Sequence, residues 1–299
     1  MSARRALLGE LIDDAGLFPP AQLALSEALA ANARAAAGAH FWMLGRFVVP
    51  ASRLGDLRAL LDDAPEPFAV SVVLDGELDA SLALVADTTR AAADRIAVET
   101  LECRASQLRG TTSDERIRAL VSARAKAALD ERPVYLELDA AHDDLETLAA
   151  LHRARAGAPE FYAKLRCGGL APEAVPAPER VARFLWEANR LGVPFKATAG
   201  LHHPIRAYNA GAGFVMHGFL NLVGAAVLAH ARGLDQASLE RVVADERATA
   251  FALDEARFVW NGLGADAVEI GAARAQFVHS YGSCSFDEPV ADLRDLGIL

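Results

Sequence analysis

Residues 161–200, FYAKLRCGGLAPEAVPAPERVARFLWEANRLGVPFKATAG, carry the pattern on which the fold turns. In FYAKLRC (161–167), Phe161, Ala163 and Leu165 fall on one side of an extended chain, and Lys164 and Arg166 on the other. Successive side chains of a strand point to opposite faces, so one face is apolar and the other charged. PFKATAG (194–200) repeats the scheme, setting Phe195, Ala197 and Ala199 against Lys196 and Thr198. Between them, residues 178–191 keep a helical period. Strand, helix and strand in this order form a parallel βα unit.

The same unit recurs outward in both directions. Further strands are expected at 10–16, 41–49, 68–75, 95–102, 134–139 and 277–283. Helices are expected at 20–37, 51–63, 78–93, 113–129, 143–156, 212–231, 236–246 and 287–296, with Ser113 and Asp143 at two of the caps. Eight strands with intervening helices predict an α/β protein, a single (β/α)8 or TIM barrel over residues 1–299. FALDEARFVWNG (251–262) breaks the alternation and reads as a hairpin; with a helix near 265–275 it forms an insertion over about 248–275, before the last strand. An open doubly wound sheet is the alternative, but no GxGxxG follows the first strand.

Composition excludes several classes. A net charge of −10 argues against general affinity for nucleic acid or an anionic membrane. The apolar stretch 214–228 contains His217 and Asn221 and is too short for a membrane span, so it is expected as a buried helix. Cys103, Cys167 and Cys284 are odd in number and lack CxxC spacing, which fits a reduced cytoplasm better than a disulfide framework or structural zinc. MSARRALLGELIDDAG lacks the uninterrupted apolar core of a secretory signal. Assembly with further copies of the chain stays open.

Parity also sorts the charges. In VYLELD (134–139), Val134, Leu136 and Leu138 oppose Tyr135, Glu137 and Asp139, and the same sorting puts Arg46 and Glu99 inside. The helix-facing layer must be apolar, so Arg46, Glu99, Glu137, Lys164, Arg166 and Lys196 are left to the barrel interior or its rim. Such a ring is either a structural ion-pair network or the catalytic groups of the carboxy-terminal mouth. Of 30 basic residues only Lys126, Lys164 and Lys196 are lysines, and two of them fall inside. Lysine can lose its proton when desolvated or crowded by a cation, whereas arginine cannot, so the pattern points to a titratable amine.

The loops RCGGL (166–170), TAGLHHPIR (198–206) and SYGSCS (280–285) suit an anion. Gly168, Gly169, Thr198, His202, His203, Gly282, Ser283 and Ser285 are therefore candidate substrate-binding residues. Asp13 and Asp14 could supply a base or cap a turn. No cofactor is required; the alternative is a divalent metal held by Glu99, Glu137, Asp13 or His217 with one of the paired histidines, although no HxH or HExxH spacing is present.

A lysine on strand six, a second on strand seven within FKATAG and the Gly-Ser turn of YGSCS resemble the class I aldolase barrels of the deoxyribose-phosphate aldolase type, over about 120 residues. The resemblance implies that Lys164 forms the imine, that Lys196 lowers its pKa, and that Gly282, Ser283 and Ser285 hold a phosphate. Arg166 departs from it, standing where those aldolases have a small hydroxyl residue, and LHHPIR replaces a second glycine and a short polar turn. A bulky cation there suggests a carboxylate-bearing or otherwise anionic substrate. The motifs LIDDAGLFPP, MLGRFVVP, KLRCGG, FKATAGLHHP and GSCSFDEP resemble, along the whole chain, a group of bacterial barrel proteins, which implies fold rather than activity.

The expectation is a lyase or isomerase of a small anionic carbonyl compound, with Lys164 or Lys196 as nucleophile and Glu137 or Glu99 moving the proton. Its rivals are acid/base catalysis without an imine, with or without a metal, and a non-catalytic anion-binding barrel.

Overall fold

The computed structural model describes residues 1–61, 66–138 and 144–299; Asp139 and the Asp143 cap lie outside them. Seven strands come first: β1 Ile12–Asp14, β2 Leu44–Pro50, β3 Phe68–Val73, β4 Ile96–Arg104, β5 Val134–Glu137, β6 Phe161–Arg166 and β7 Phe195–Thr198. A hairpin of β8 Ala207–Asn209 and β9 Phe214–Met216 follows, then an antiparallel sheet of β10 Phe251–Leu253, β11 Arg257–Trp260 and β12 Leu263–Asp266, then β13 Val278–Ser283. β1 to β7 and β13 close a parallel eight-stranded barrel, β13 lying between β7 and β1.

The helices are α1 Ala3–Leu8, α2 Leu25–Ala37, α3 Leu54–Leu60, α4 Leu78–Ala91, α5 Ser113–Lys126, α6 Asp144–Ala154, α7 Pro178–Leu191, α8 Phe219–Arg232, α9 Gln236–Ala244, α10 Ala267–Gln276 and α11 Asp287–Asp295. In α7 a proline opens the first turn, Gly192 ends the last at φ 62°, and Val181, Ala182, Phe184, Leu185 and Ala188 bury one face. α5 is capped by Thr112 rather than Ser113: the Thr112 hydroxyl accepts from the Glu115 amide, and the Glu115 carboxylate accepts from the Thr112 amide. α8 is buried nearly all round, between α7, α9, α10 and the barrel wall. No helix among the described residues is long and apolar enough to cross a membrane.

Two expected elements differ. The helix placed at 212–231 begins only at Phe219, because Gly213 at φ 84° turns the chain into the β8–β9 hairpin. The hairpin at 251–262 gains a third strand, because Asn261 and Gly262, at φ 46° and 84°, make a two-residue turn that returns β12 along β11.

Register shifts in the barrel set what faces inward. Val98 pairs with Val70 but Thr100 pairs with Ser71, so Glu99 is an extra residue and β4 changes parity across it. Ile12 pairs with Leu44 but Asp14 with Phe47, a similar shift between β1 and β2.

Candidate active site

Past the bulge at Glu99, the sequence TLECR alternates on the new parity: Leu101 and Cys103 join the apolar layer, and Thr100 and Glu102 turn inward. Glu102 becomes the centre of an ionic cluster. Lys164 Nζ lies 2.8 Å from its Oε2, and Lys196 Nζ lies 2.6 Å from its Oε1. Lys196 Nζ also donates to Asp13 Oδ2 at 2.5 Å, and Lys164 Nζ contacts Glu137 Oε2 at 2.7 Å. Arg166 Nη1 closes the chain on Glu137 Oε1 at 3.1 Å. In-register pairing of β5, β6 and β7 sets Glu137, Lys164 and Lys196 side by side.

Hydroxyls and backbone groups satisfy the remaining oxygens. Ser71 Oγ donates to Glu102 Oε1 at 2.6 Å and receives from Thr100 Oγ1 at 2.7 Å. Ser280 Oγ donates to Asp13 Oδ2 at 2.8 Å, and the Arg46 amide to Asp13 Oδ1 at 2.9 Å. Gly45 makes room for that carboxylate, since a Cβ there would lie 2.5 Å from Asp13 Oδ1. Lys196, Glu102 and Asp13 are almost wholly out of water, at 1%, 2% and 0% exposure. Charges so buried persist only with full pairing.

The cluster fixes the protonation states. Burial alone would raise the Glu102 carboxyl, but Lys164 and Lys196 outweigh it and hold Glu102 well below the usual carboxylate range. Glu137 is likewise lowered: burial opposes, Lys164 and Arg166 prevail. Burial pulls the Lys164 ammonium down and Lys196 adds to that pull, yet Glu102 and Glu137 win and its pKa rises. Lys196 rises in the same way against its own burial, through Asp13 and Glu102. This corrects the expectation that two neighbouring amines depress each other: a carboxylate sits between them, and attraction to it exceeds their repulsion.

Above the cluster opens a cavity of about 730 Å³ at the carboxy-terminal ends of the strands. Glu102, Glu137, Lys164, Lys196 and Arg166 line its base and wall. Gly169, Thr198, His202, Gly282 and Ser285 reach it from the loops. Arg104, at the end of β4, reaches it too.

Other expected site residues have other places. Arg46 and Glu99 pair with each other, Nε to Oε2 at 2.7 Å; both lie upstream of the mouth residues of their strands, and neither lines the cavity. Tyr135, Tyr162 and His279 pack together, with Tyr135 Oη 2.7 Å from His279 Nδ1 and the Lys196 ammonium 5.5 Å from the Tyr135 ring centroid. Gly168 serves packing, since a Cβ would come 2.8 Å from Gly200 Cα where the loops after β6 and β7 cross. His203 ties the β8–β9 hairpin to α11, its Nδ1 2.6 Å from Asp292 Oδ2 and its Nε2 3.0 Å from Asn209 Nδ2. The Ser283 hydroxyl is spent within its own turn, on the Ser285 carbonyl at 2.6 Å. His217 and Asn221 belong to the core, on the Pro176 carbonyl and on the Val242 and Asp245 carbonyls.

The donors considered for a divalent metal do not meet. Glu99 is held by Arg46, and Glu137 by Lys164 and Arg166. Among the described residues no group of three His, Cys, Asp or Glu side chains is arranged to hold a metal ion.

Fold and site together define an α/β barrel with a paired-lysine ionic cluster at the base of its mouth. A scan against protein-family models finds no match to the chain, and neither does a search of the curated proteins.

Proposed function

We propose that the protein is a lyase or isomerase of small anionic carbonyl compounds, working through an imine on Lys164. The observation that carries this reading is the placing of Lys164 Nζ at the cavity between Glu102 and Glu137, at 2.8 and 2.7 Å. Two carboxylates there stabilise positive charge at that nitrogen, and an iminium keeps the same charge on the same atom. Lys196 holds the deeper position against Asp13 and Glu102.

The proton balance closes. The Lys164 ammonium lends a proton to Glu137, and the neutral amine attacks the carbonyl carbon to form a carbinolamine. The C–N bond forms, the C–O bond breaks, and the hydroxyl leaves as water with the lent proton. Ammonium plus carbonyl thus gives iminium plus water, with no net change in charge beside Glu102 and Glu137. The iminium then draws electrons from an adjacent C–C bond, whose far carbon leaves as a carbonyl as its hydroxyl proton passes to Glu102, or from a C–H bond whose proton Glu102 takes. Glu102, exchanging protons with Lys196, returns one to the resulting enamine, and water hydrolyses the iminium to free the Lys164 ammonium. Glu102 and Glu137 hold the roles that sequence parity gave to Glu99 and Glu137.

Arg104 and Arg166 at the rim favour an anion. None of the cavity-lining residues comes from 248–275, and we read that segment as an insertion remote from the chemistry. Free thiols at all three cysteines suit the cytoplasm.

Borohydride added with a panel of small aldehydes and keto acids tests the reading. A mass increment on the peptide containing Lys164, absent from Lys164→Arg, is the expected result. A panel that leaves Lys164 unmodified at every pH where the protein is folded refutes it.

A further inference from the structure

Glu137 lies between two unlike cations. Its Oε2 faces Lys164 Nζ at 2.7 Å, and its Oε1 accepts from Arg166 Nη1 at 3.1 Å. Ammonium and guanidinium are therefore one carboxylate apart. Arg166 is 39% exposed at the cavity wall, so solvent and ligand reach it. Arg104 pairs in register with Glu137, lines the same cavity, and its guanidinium makes no ion pair or hydrogen bond among the described residues.

The charges around this point do not cancel. Asp13, Glu102 and Glu137 supply three negative charges, and Lys164, Lys196, Arg104 and Arg166 supply four positive ones. Glu288, a further carboxylate lining the cavity, lies 3.4 Å from His202 Nδ1, so the positive charge left over among these groups is on the arginines, in a chain whose net charge is −10. A single-charged anion would balance it, and a low-dielectric cleft concentrates that field.

Resting on the imine reading, we infer that the substrate is a 2-oxo carboxylate whose carboxylate seats on Arg166 and Arg104, in the place Glu137 now partly fills. In a 2-oxo acid the carboxylate and carbonyl carbons are directly bonded. An anion seat one carboxylate away from the amine matches that spacing, whereas a terminal phosphate on a longer chain would put its charge several bonds further off. Guanidinium forks also fit carboxylates in two-point contact. When the substrate carboxylate takes Arg166, Glu137 loses that cation and keeps Lys164, so it becomes the more basic group beside the ammonium that must shed a proton. Glu137 acts in this way as an internal stand-in for the substrate's own carboxylate.

Oxamate separates the two readings, because it copies the shape and charge of pyruvate but forms no imine. Calorimetry should show oxamate binding to the wild-type chain and binding about tenfold or more weaker to Arg166→Gln and to Arg104→Gln, the loss expected of a charge-assisted contact. Glu137→Gln should bind oxamate several-fold tighter, since a neutral amide competes poorly for the guanidinium. In borohydride trapping, pyruvate should label Lys164 at least about tenfold faster than acetaldehyde, against their intrinsic order of reactivity, and Arg166→Gln should remove that preference. Both arginine variants alter rim side chains, and circular dichroism checks that they fold. Unchanged oxamate affinity in both, or acetaldehyde labelling as readily as pyruvate, overturns the inference while an adduct on Lys164 keeps the imine. Oxamate binding through Arg166 without any carbonyl adduct supports the seat and removes the imine.

Discussion

Lys164 and Lys196 share one acceptor: each holds a different oxygen of Glu102, at 2.8 and 2.6 Å. Neighbouring amines alone would make each other more acidic. Here the shared carboxylate turns repulsion into a bridge, and with Asp13 and Glu137 at its ends the cluster alternates in sign from β1 to Arg166. A proton moved at one lysine is therefore felt at the other through Glu102.

Glu102→Gln keeps the size of the side chain and removes the charge both ammoniums depend on. Breaking a buried ion cluster at its shared member should cost about 3–5 kcal/mol of folding stability. Denaturant titration reads this directly. A change within about 0.5 kcal/mol, the range of ordinary surface substitutions, would mean that the cluster is not ionised as described.

Gly45→Ala probes the other end. Its new Cβ would lie 2.5 Å from Asp13 Oδ1, displacing the carboxylate that holds Lys196. A loss of about 1–3 kcal/mol is expected. Gly55→Ala in α3, where nothing lies within 4 Å of the added methyl, should instead stabilise by about 0.5–1 kcal/mol. Equal effects of the two substitutions would show that Gly45 is not a packing requirement.

The barrel was legible because its outward face is written plainly: Val134, Leu136, Ala163, Leu165 and Ala197 alternate without exception. Lys164, Lys196, Glu137 and Arg166 followed from the same parity. Glu102 did not, because a strand read with one parity places it outside once Glu99 is inside. The signal was present, since IAVE (96–99) and TLECR (100–104) alternate in opposite phase, and only an inserted residue reconciles them. Asp13 was visible as an acid but not as the partner of Lys196, a contact across 183 residues of chain. Arg104 lay beyond the end assigned to its strand.

The stability curve against pH should have two limbs. His279 and His217 are both lowered to about 4, chiefly by burial, so each stays neutral in the fold and protonates on unfolding. A depressed histidine contributes stability above its unfolded value near 6.5, lost as pH falls towards 4, on the order of 2–3 kcal/mol for each. Glu102 and Glu137, also depressed, extend the loss below about pH 4.3. Lys164 and Lys196 are raised, so their contribution holds up to about pH 10.4 and fades above it. Thermal melts from pH 4 to 11 check this, and His279→Asn should flatten the limb between about 6.5 and 4. An acid limb that starts only near pH 4 would exclude the histidine contribution.

Trapping at Lys164 carries its own pH signature, because only the free amine attacks and the carboxylates keep it scarce. With a neutral aldehyde and borohydride, the rate of labelling should climb about tenfold per pH unit through the neutral and mildly alkaline range. Lys196 pulls the Lys164 pKa down, so Lys196→Gln should move the rise to higher pH and slow labelling at pH 8. Lys196→Arg keeps that positive charge and should leave the profile near that of the wild type, even where turnover is lost for want of a transferable proton. A flat profile between pH 7 and 10 would mean that Lys164 is already neutral, and the balance of charge drawn around Glu102 would then be wrong.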